Sequence, residues 1–112
     1  MEIKSQSPKA GGFLLGPLGD LNDAQSLALL GFYKNLRSQG LRFLALDLSQ
    51  TGQVNGAGLG ALKHLEIEMA RLQGRLILIG AGARVKRLLE ITGISPDWAE
   101  NPQMAQNLME TP

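Results

Sequence analysis

Two short runs set the strongest limit on what this chain can become. They are residues 42–48 (Arg-Phe-Leu-Ala-Leu-Asp-Leu) and 75–79 (Arg-Leu-Ile-Leu-Ile). Successive side chains of a strand point to opposite faces, so a strand with one wet face alternates apolar and polar residues. The first run is apolar at odd and even positions until Asp47, and the second after Arg75. That is the signature of strands covered on both faces, as parallel strands are when helices flank the sheet.

The segments around these runs supply the helices. Asn22 is an N-cap residue with Gln25 three positions on, a capping-box pattern. Leu27, Leu30, Tyr33 and Leu36 follow at helical spacing, and Gly40 is a plausible stop. Residues 58–72 carry the stripe Leu59, Leu62, Leu65, Met69 and Leu72, with Gly74 beyond. Residues 83–92 place Val85, Leu88, Leu89 and Thr92 on one side, and Gly93 suits the position after the helix. Residues 12–18, with glycine and proline, read as an edge strand. Residues 49–55 read as a polar loop, 96–98 as loop or short strand, and 102–109 as a short final helix. Alternating strands and helices of this length imply βαβ units with right-handed crossovers, hence an α/β fold.

Length and composition narrow the class. The 112 residues suit one domain, 1–112, and 44% apolar residues with mixed charges suit a packed core rather than disorder. No cysteine is present, which removes disulfides, thiol catalysis and cysteine-held metals. The net charge of +1 argues against a nucleic-acid binder. No run approaches the roughly 18 apolar residues of a membrane span, and the first residues lack the apolar core of a signal peptide. These features lead us to expect a soluble, cytoplasmic chain without membrane insertion. Charge is uneven, however. Lys34, Arg37, Arg42, Lys63, Arg71, Arg75, Arg84, Lys86 and Arg87 outnumber Asp47, Glu66 and Glu68, whereas Glu90, Asp97, Glu100 and Glu110 follow without a base. Solvated helix faces account for this pattern; the functional alternative is a mildly basic surface for an acidic partner.

The residues that could carry chemistry are few. His64, the only histidine, falls mid-helix with Glu68 four residues on, which reads as a surface pair. One histidine without cysteines gives no metal site, and no metal or cofactor is expected. Two glycine-rich stretches, 55–60 and 80–85, follow strands and read as tight strand-to-helix turns, though either would offer backbone N–H groups to an anion. The second begins like a dinucleotide fingerprint but has Val85 at the third glycine position. Asp47 lies at a strand end without a paired carboxylate and reads as a loop-capping residue. Trp98 reads as a plug over an open end of the sheet rather than a ligand platform. No catalytic set is visible, so the expectation is a binding or regulatory protein, not an enzyme.

The sequence resembles the STAS domain, shared by sulfate transporters and anti-sigma factor antagonists. The similarity lies in Phe43-Leu44-Ala45-Leu46-Asp47-Leu48-Ser49 followed by Val54-Asn55-Gly56-Ala57-Gly58-Leu59-Gly60-Ala61-Leu62. It extends to Gly19-Asp20-Leu21-Asn22-Asp23-Ala24, to Leu76-Ile77-Leu78-Ile79-Gly80, and to the stretch from Val85 through Leu89 to Gly93-Ile94. The resemblance implies a four- to five-stranded mixed sheet with helices mainly on one face. It also implies partner binding through the loop and first turn of the second helix, here Gln53, Val54, Asn55, Gly56, Ala57, Gly58 and Leu59. In the anti-sigma antagonist branch, a serine after an aspartate in this turn is phosphorylated. Here those positions hold Asn55 and Gly56, and glycine has no hydroxyl to modify. Ser49 and Thr51 are the alternative acceptors in the same loop, with loop hydrogen bonding as their plainer role. The resemblance thus implies an anti-sigma-antagonist-like partner switch that works without phosphate at position 56, facing a kinase-like ATPase or a serine phosphatase. The alternatives are a cytoplasmic subunit buttressing the ATPase of a lipid-transporting ABC system, or a scaffold in a larger complex. Leucine-rich helix faces leave a homodimer open.

Overall fold

A computed structural model describes residues 11–110. The element order is β1 (Gly12–Leu15), α1 (Asp23–Arg37), β2 (Phe43–Asp47), α2 (Gly56–Arg71), β3 (Arg75–Ile79), α3 (Ala83–Ile91), β4 (Asp97–Ala99) and α4 (Pro102–Glu110). The strands lie in chain order, β1-β2-β3-β4, and each neighbouring pair is parallel. In register, Phe43 of β2 stands between Gly12 and Arg75, and Ile77 of β3 between Ala45 and Asp97. The mixed sheet implied by the resemblance is therefore all parallel among the described residues.

This order explains the helix layer. When each new strand adds to the same side, right-handed crossovers carry every connecting helix to the same face. Leu44, Leu46, Leu76 and Leu78 point to that face, where α1, α2 and α3 contribute Leu29, Tyr33, Leu36, Leu62, Leu65, Met69, Val85 and Leu89. The alternate residues Ala45, Ile77 and Ile79 point to the opposite face, where α4 covers them with Ala105 and Met109. Both faces are dry, as the two uninterrupted apolar runs require. Truncating a fully buried leucine such as Leu44 to alanine costs about 2–5 kcal/mol in such a core.

Several local expectations need correction. The edge strand ends at Leu15, because Gly16 takes φ +124 and Pro17 has no N–H for a ladder. In α1 the inward residues are Ser26, Leu29, Tyr33 and Leu36, while Leu27 is 73% exposed. The expected stripe therefore holds at Tyr33 and Leu36, with Leu30 packed against the core, and departs only in the first turns, where Ser26 and Leu29 face inward in place of Leu27. Asn22 caps α1 by accepting the Gln25 N–H at 2.9 Å, the forward half of a capping box. Helix α2 begins at Gly56, two residues earlier than expected, because Asn55 caps it and accepts the Gly58 N–H at 2.9 Å. The short strand expected near 96–98 is β4, one residue later at each end. The turn through Gly80 and Gly82 into α3 is the tight strand-to-helix connection expected of it, with Gly80 at φ +66.

His64 is exposed on α2 but makes no pair with Glu68. The Glu68 carboxylate turns instead toward α1. It accepts from the Tyr33 hydroxyl at 3.0 Å, lies 3.5 Å from Arg37 and pairs with Arg71 at 3.3 Å. Trp98 is half-buried against the larger core, with the Lys86 ammonium 5.2 Å from its ring centroid.

Candidate functional site

The loop between β2 and α2 is fixed at nearly every residue. Asp47, at the end of β2, accepts the Ser49 N–H at 2.9 Å, the turn-capping role expected of it. The Thr51 N–H reaches back to the Leu48 carbonyl, and the Thr51 hydroxyl donates to the Leu18 carbonyl at 2.8 Å. Thr51 is only 6% exposed. Asp20 then takes both the Gly52 and Gln53 N–H groups on one carboxylate oxygen, at 2.9 and 3.0 Å. Leu21 donates to the Gln53 carbonyl and accepts from the Asn55 N–H, forming an isolated parallel bridge between Leu21 and Val54. The segment joining β1 to α1 thus holds the loop that launches α2.

Asn55 completes the set. Its Oδ1 caps α2 at the Gly58 N–H, and its Nδ2 donates to Asp23 at 3.0 Å. A carboxylate at position 55 would accept the first bond but would face Asp23 with like charge. Gly58 sits against this junction. A Cβ there would lie 2.8 Å from the Leu21 carbonyl oxygen and 2.8 Å from Val54 Cγ1, so only glycine allows the approach. Gly56, at the first helical position, meets nothing within 4 Å of such a Cβ.

Of the seven residues expected to meet a partner, Gln53, Asn55, Gly56 and Ala57 are exposed and Leu59 is half-buried. Val54 and Gly58 face inward and hold the loop in place. Ser49 is exposed, whereas the Thr51 hydroxyl is consumed inside. The first turn of α2 contains no acidic residue, so its positive end has no side-chain anion of its own. Asp20 and Asp23 are the residues that sequence reasoning missed. Both belong to the quoted Gly19–Ala24 stretch, but their partners lie 32 or 33 residues away, beyond the reach of local pattern. Among the described residues, no group of three or more histidine or acidic side chains converges as a metal site would, and no helix is long and apolar enough to cross a membrane.

A sequentially ordered parallel sheet that presents a fixed, glycine-rich helix tip defines a small α/β domain with a preformed surface feature. The chain belongs to the STAS domain family, whose sequence pattern matches residues 18–108. Among solved structures it is similar to one described as the anti-sigma factor antagonist SpoIIAA in its unphosphorylated form. That match has a TM-score of 0.76 at 11% identity and covers 97% of this chain and 99% of the other. It establishes a shared fold. A search of curated proteins finds no match.

Proposed function

We propose that this chain is a non-enzymatic, protein-binding STAS domain that acts as an anti-sigma-antagonist-like partner switch without phosphorylation at the usual turn. The observation that carries this reading is Gly56. It stands exposed at the first position of α2, in open space, on a loop pinned by Asp20, Leu21 and Asp23. The tip is rigid and flat, and it has no hydroxyl. Phosphate elsewhere adds about −1.5 to −2 charge to such a surface and can break an interface by repulsion. Here that lever is missing, so docking is set by shape and by the abundance of the partner. The solved structure that shares this fold is described as an anti-sigma factor antagonist, and the partner class the family resemblance implies is a kinase-like ATPase or a serine phosphatase. Of the two remaining hydroxyls in the loop, Ser49 is open to solvent, while Thr51 would first have to give up its bond to Leu18.

The test is affinity capture from the source cells with tagged wild type and Gly56→Glu, read by mass spectrometry. Gly56→Glu is first shown to be folded and to melt no lower than wild type, which the open space at Gly56 leads us to expect. A kinase-like ATPase or phosphatase recovered by wild type alone supports the reading. Transporter subunits, or the same partners on both baits, would replace it with the ABC-subunit or scaffold reading.

A further inference from the structure

Beside the α2 tip lies a groove of about 420 Å³ between the pinned loop and α3. One wall is α3, where Arg84, Arg87, Leu88 and Ile91 recur at spacings of three and four and so share one side of the helix. Val85 and Val54 form the floor. Ile91 is 72% exposed and, with Leu88, carries the aliphatic lining of the groove out to the surface. Arg84 and Arg87 are both exposed, and neither pairs with a carboxylate among the described residues. Lys86, on the other side of α3, is engaged with Trp98 and does not share in the groove. No acidic residue lines the groove.

An aliphatic floor bordered by two unpaired guanidiniums is complementary to one chemistry. The geometry points to this groove as the seat of an acidic, aliphatic segment of a partner protein. Its leucine or isoleucine side chains cover Ile91, Leu88 and Val54, and its carboxylates pair with Arg84 and Arg87. Arginine suits the task, because its planar fork binds carboxylates in two-point fashion and is more weakly hydrated than lysine. The inference builds on the proposed function: the groove adjoins the α2 tip, and an acidic flank would select among partners that all fit the flat tip.

The test is panning of a random-peptide display library against the full chain, followed by fluorescence anisotropy with recovered peptides. Wild type, Arg84→Glu/Arg87→Glu and Gly56→Glu are compared after each is shown by a cooperative melting curve to be folded at the assay temperature. The expected peptides combine Asp or Glu with Leu, Ile or Val. They bind the arginine-reversed protein at least about tenfold more weakly, equivalent to about 1.4 kcal/mol, and weaken with added salt. Gly56→Glu weakens their binding less than the arginine reversal does, because its added charge lies beside the groove and not in its lining. Recovery of neutral or basic peptides, recovery of none, or binding indifferent to Arg84 and Arg87 overturns the inference. Arginine-dependent binding to phosphatidylglycerol vesicles without peptide binding overturns it in favour of a membrane surface. If peptides are lost from Gly56→Glu but kept by the arginine-reversed protein, the groove is refuted while the tip reading stands. If the arginine effect holds and cellular capture is indifferent to Gly56, the tip reading fails alone.

Discussion

The carboxamide of Asn55 makes two bonds of opposite sense, accepting from the Gly58 N–H and donating to Asp23. Asn55→Asp keeps the first and turns the second into a repulsion. The expected loss of stability in urea is a few tenths to about 1 kcal/mol, because both groups are exposed and screened. Adding Asp23→Asn should recover much of it, and strict additivity in that double-mutant cycle would show that the two side chains do not interact. The neighbouring glycines predict a second contrast. Gly58→Ala forces a methyl against the Leu21 carbonyl and Val54, and should cost about 1–3 kcal/mol. Gly56→Ala meets open space and should stabilise the chain by up to about 1 kcal/mol, since alanine favours a helix over glycine. Thermal melts of the two variants, shifting in opposite directions, would check this. In sequence the two glycines look alike, one residue apart in Asn-Gly-Ala-Gly. What separates them is Leu21, which local spacing does not reveal. The Asn55 cap, by contrast, is a local contact three residues long, and it is masked in sequence because glycine, alanine and glycine follow it, so that the apolar stripe of α2 begins only at Leu59.

At the scale of elements, β2 and β3 were legible nearly to the residue, because burial on both faces leaves few sequences that fit. The inward residues in the first turns of α1 were not. A path through Leu27 and Leu30 and a path through Ser26 and Leu29 both lead to Tyr33 and Leu36, and in sequence the leucines favour the first. Further along, Tyr33 meets Glu68 of α2, with Arg37 5.9 Å from the tyrosine ring centroid. Burial, and then the hydrogen bond to Glu68, hold the Tyr33 phenol above its usual pKa. The folded state therefore keeps this proton longer than the unfolded state does. The stabilisation it brings is full below a pH of about 10 and is lost as pH rises through the folded pKa. Tyr33→Phe should lower stability near neutrality by about 1 kcal/mol through the missing bond, and should also flatten the alkaline decline. Tyr33 is the only tyrosine, so tyrosinate absorbance follows this group alone. An ordinary titration midpoint in the folded protein would refute the argument.

For the molecule as a whole, the two faces of the sheet are unequally guarded. Three helices cover one face, whereas α4 covers the other, over Ala45, Ile77, Ile79 and Ala99. Arg75 helps tie this layer together, pairing with Asp97 at 2.7 Å and donating to the Leu108 carbonyl at 3.4 Å. A chain ending at Glu100 should lower the melting temperature, bind a hydrophobic dye and self-associate, because a contiguous apolar sheet face becomes accessible. Met109→Ala is the milder case and should cost about 2 kcal/mol without dye binding. Unchanged dye fluorescence in the shortened chain would mean that α4 is not the cover of that face.

The pinning of residues 49–55 to the β1–α1 connection has a thermodynamic corollary. A recognition loop that orders only on contact gives up conformational freedom at the moment of binding, and calorimetry records this as an entropic penalty and an excess heat-capacity change. Here the loop gives up that freedom when the domain folds. Association at the α2 tip should therefore look like the meeting of two rigid bodies, with a heat-capacity change set by the area covered and a rate limited by orientation, about 10⁵–10⁷ M⁻¹s⁻¹. Loosening Asp20 by Asp20→Ala would shift that signature toward coupled ordering, weakening affinity through entropy while removing no group from the exposed tip itself.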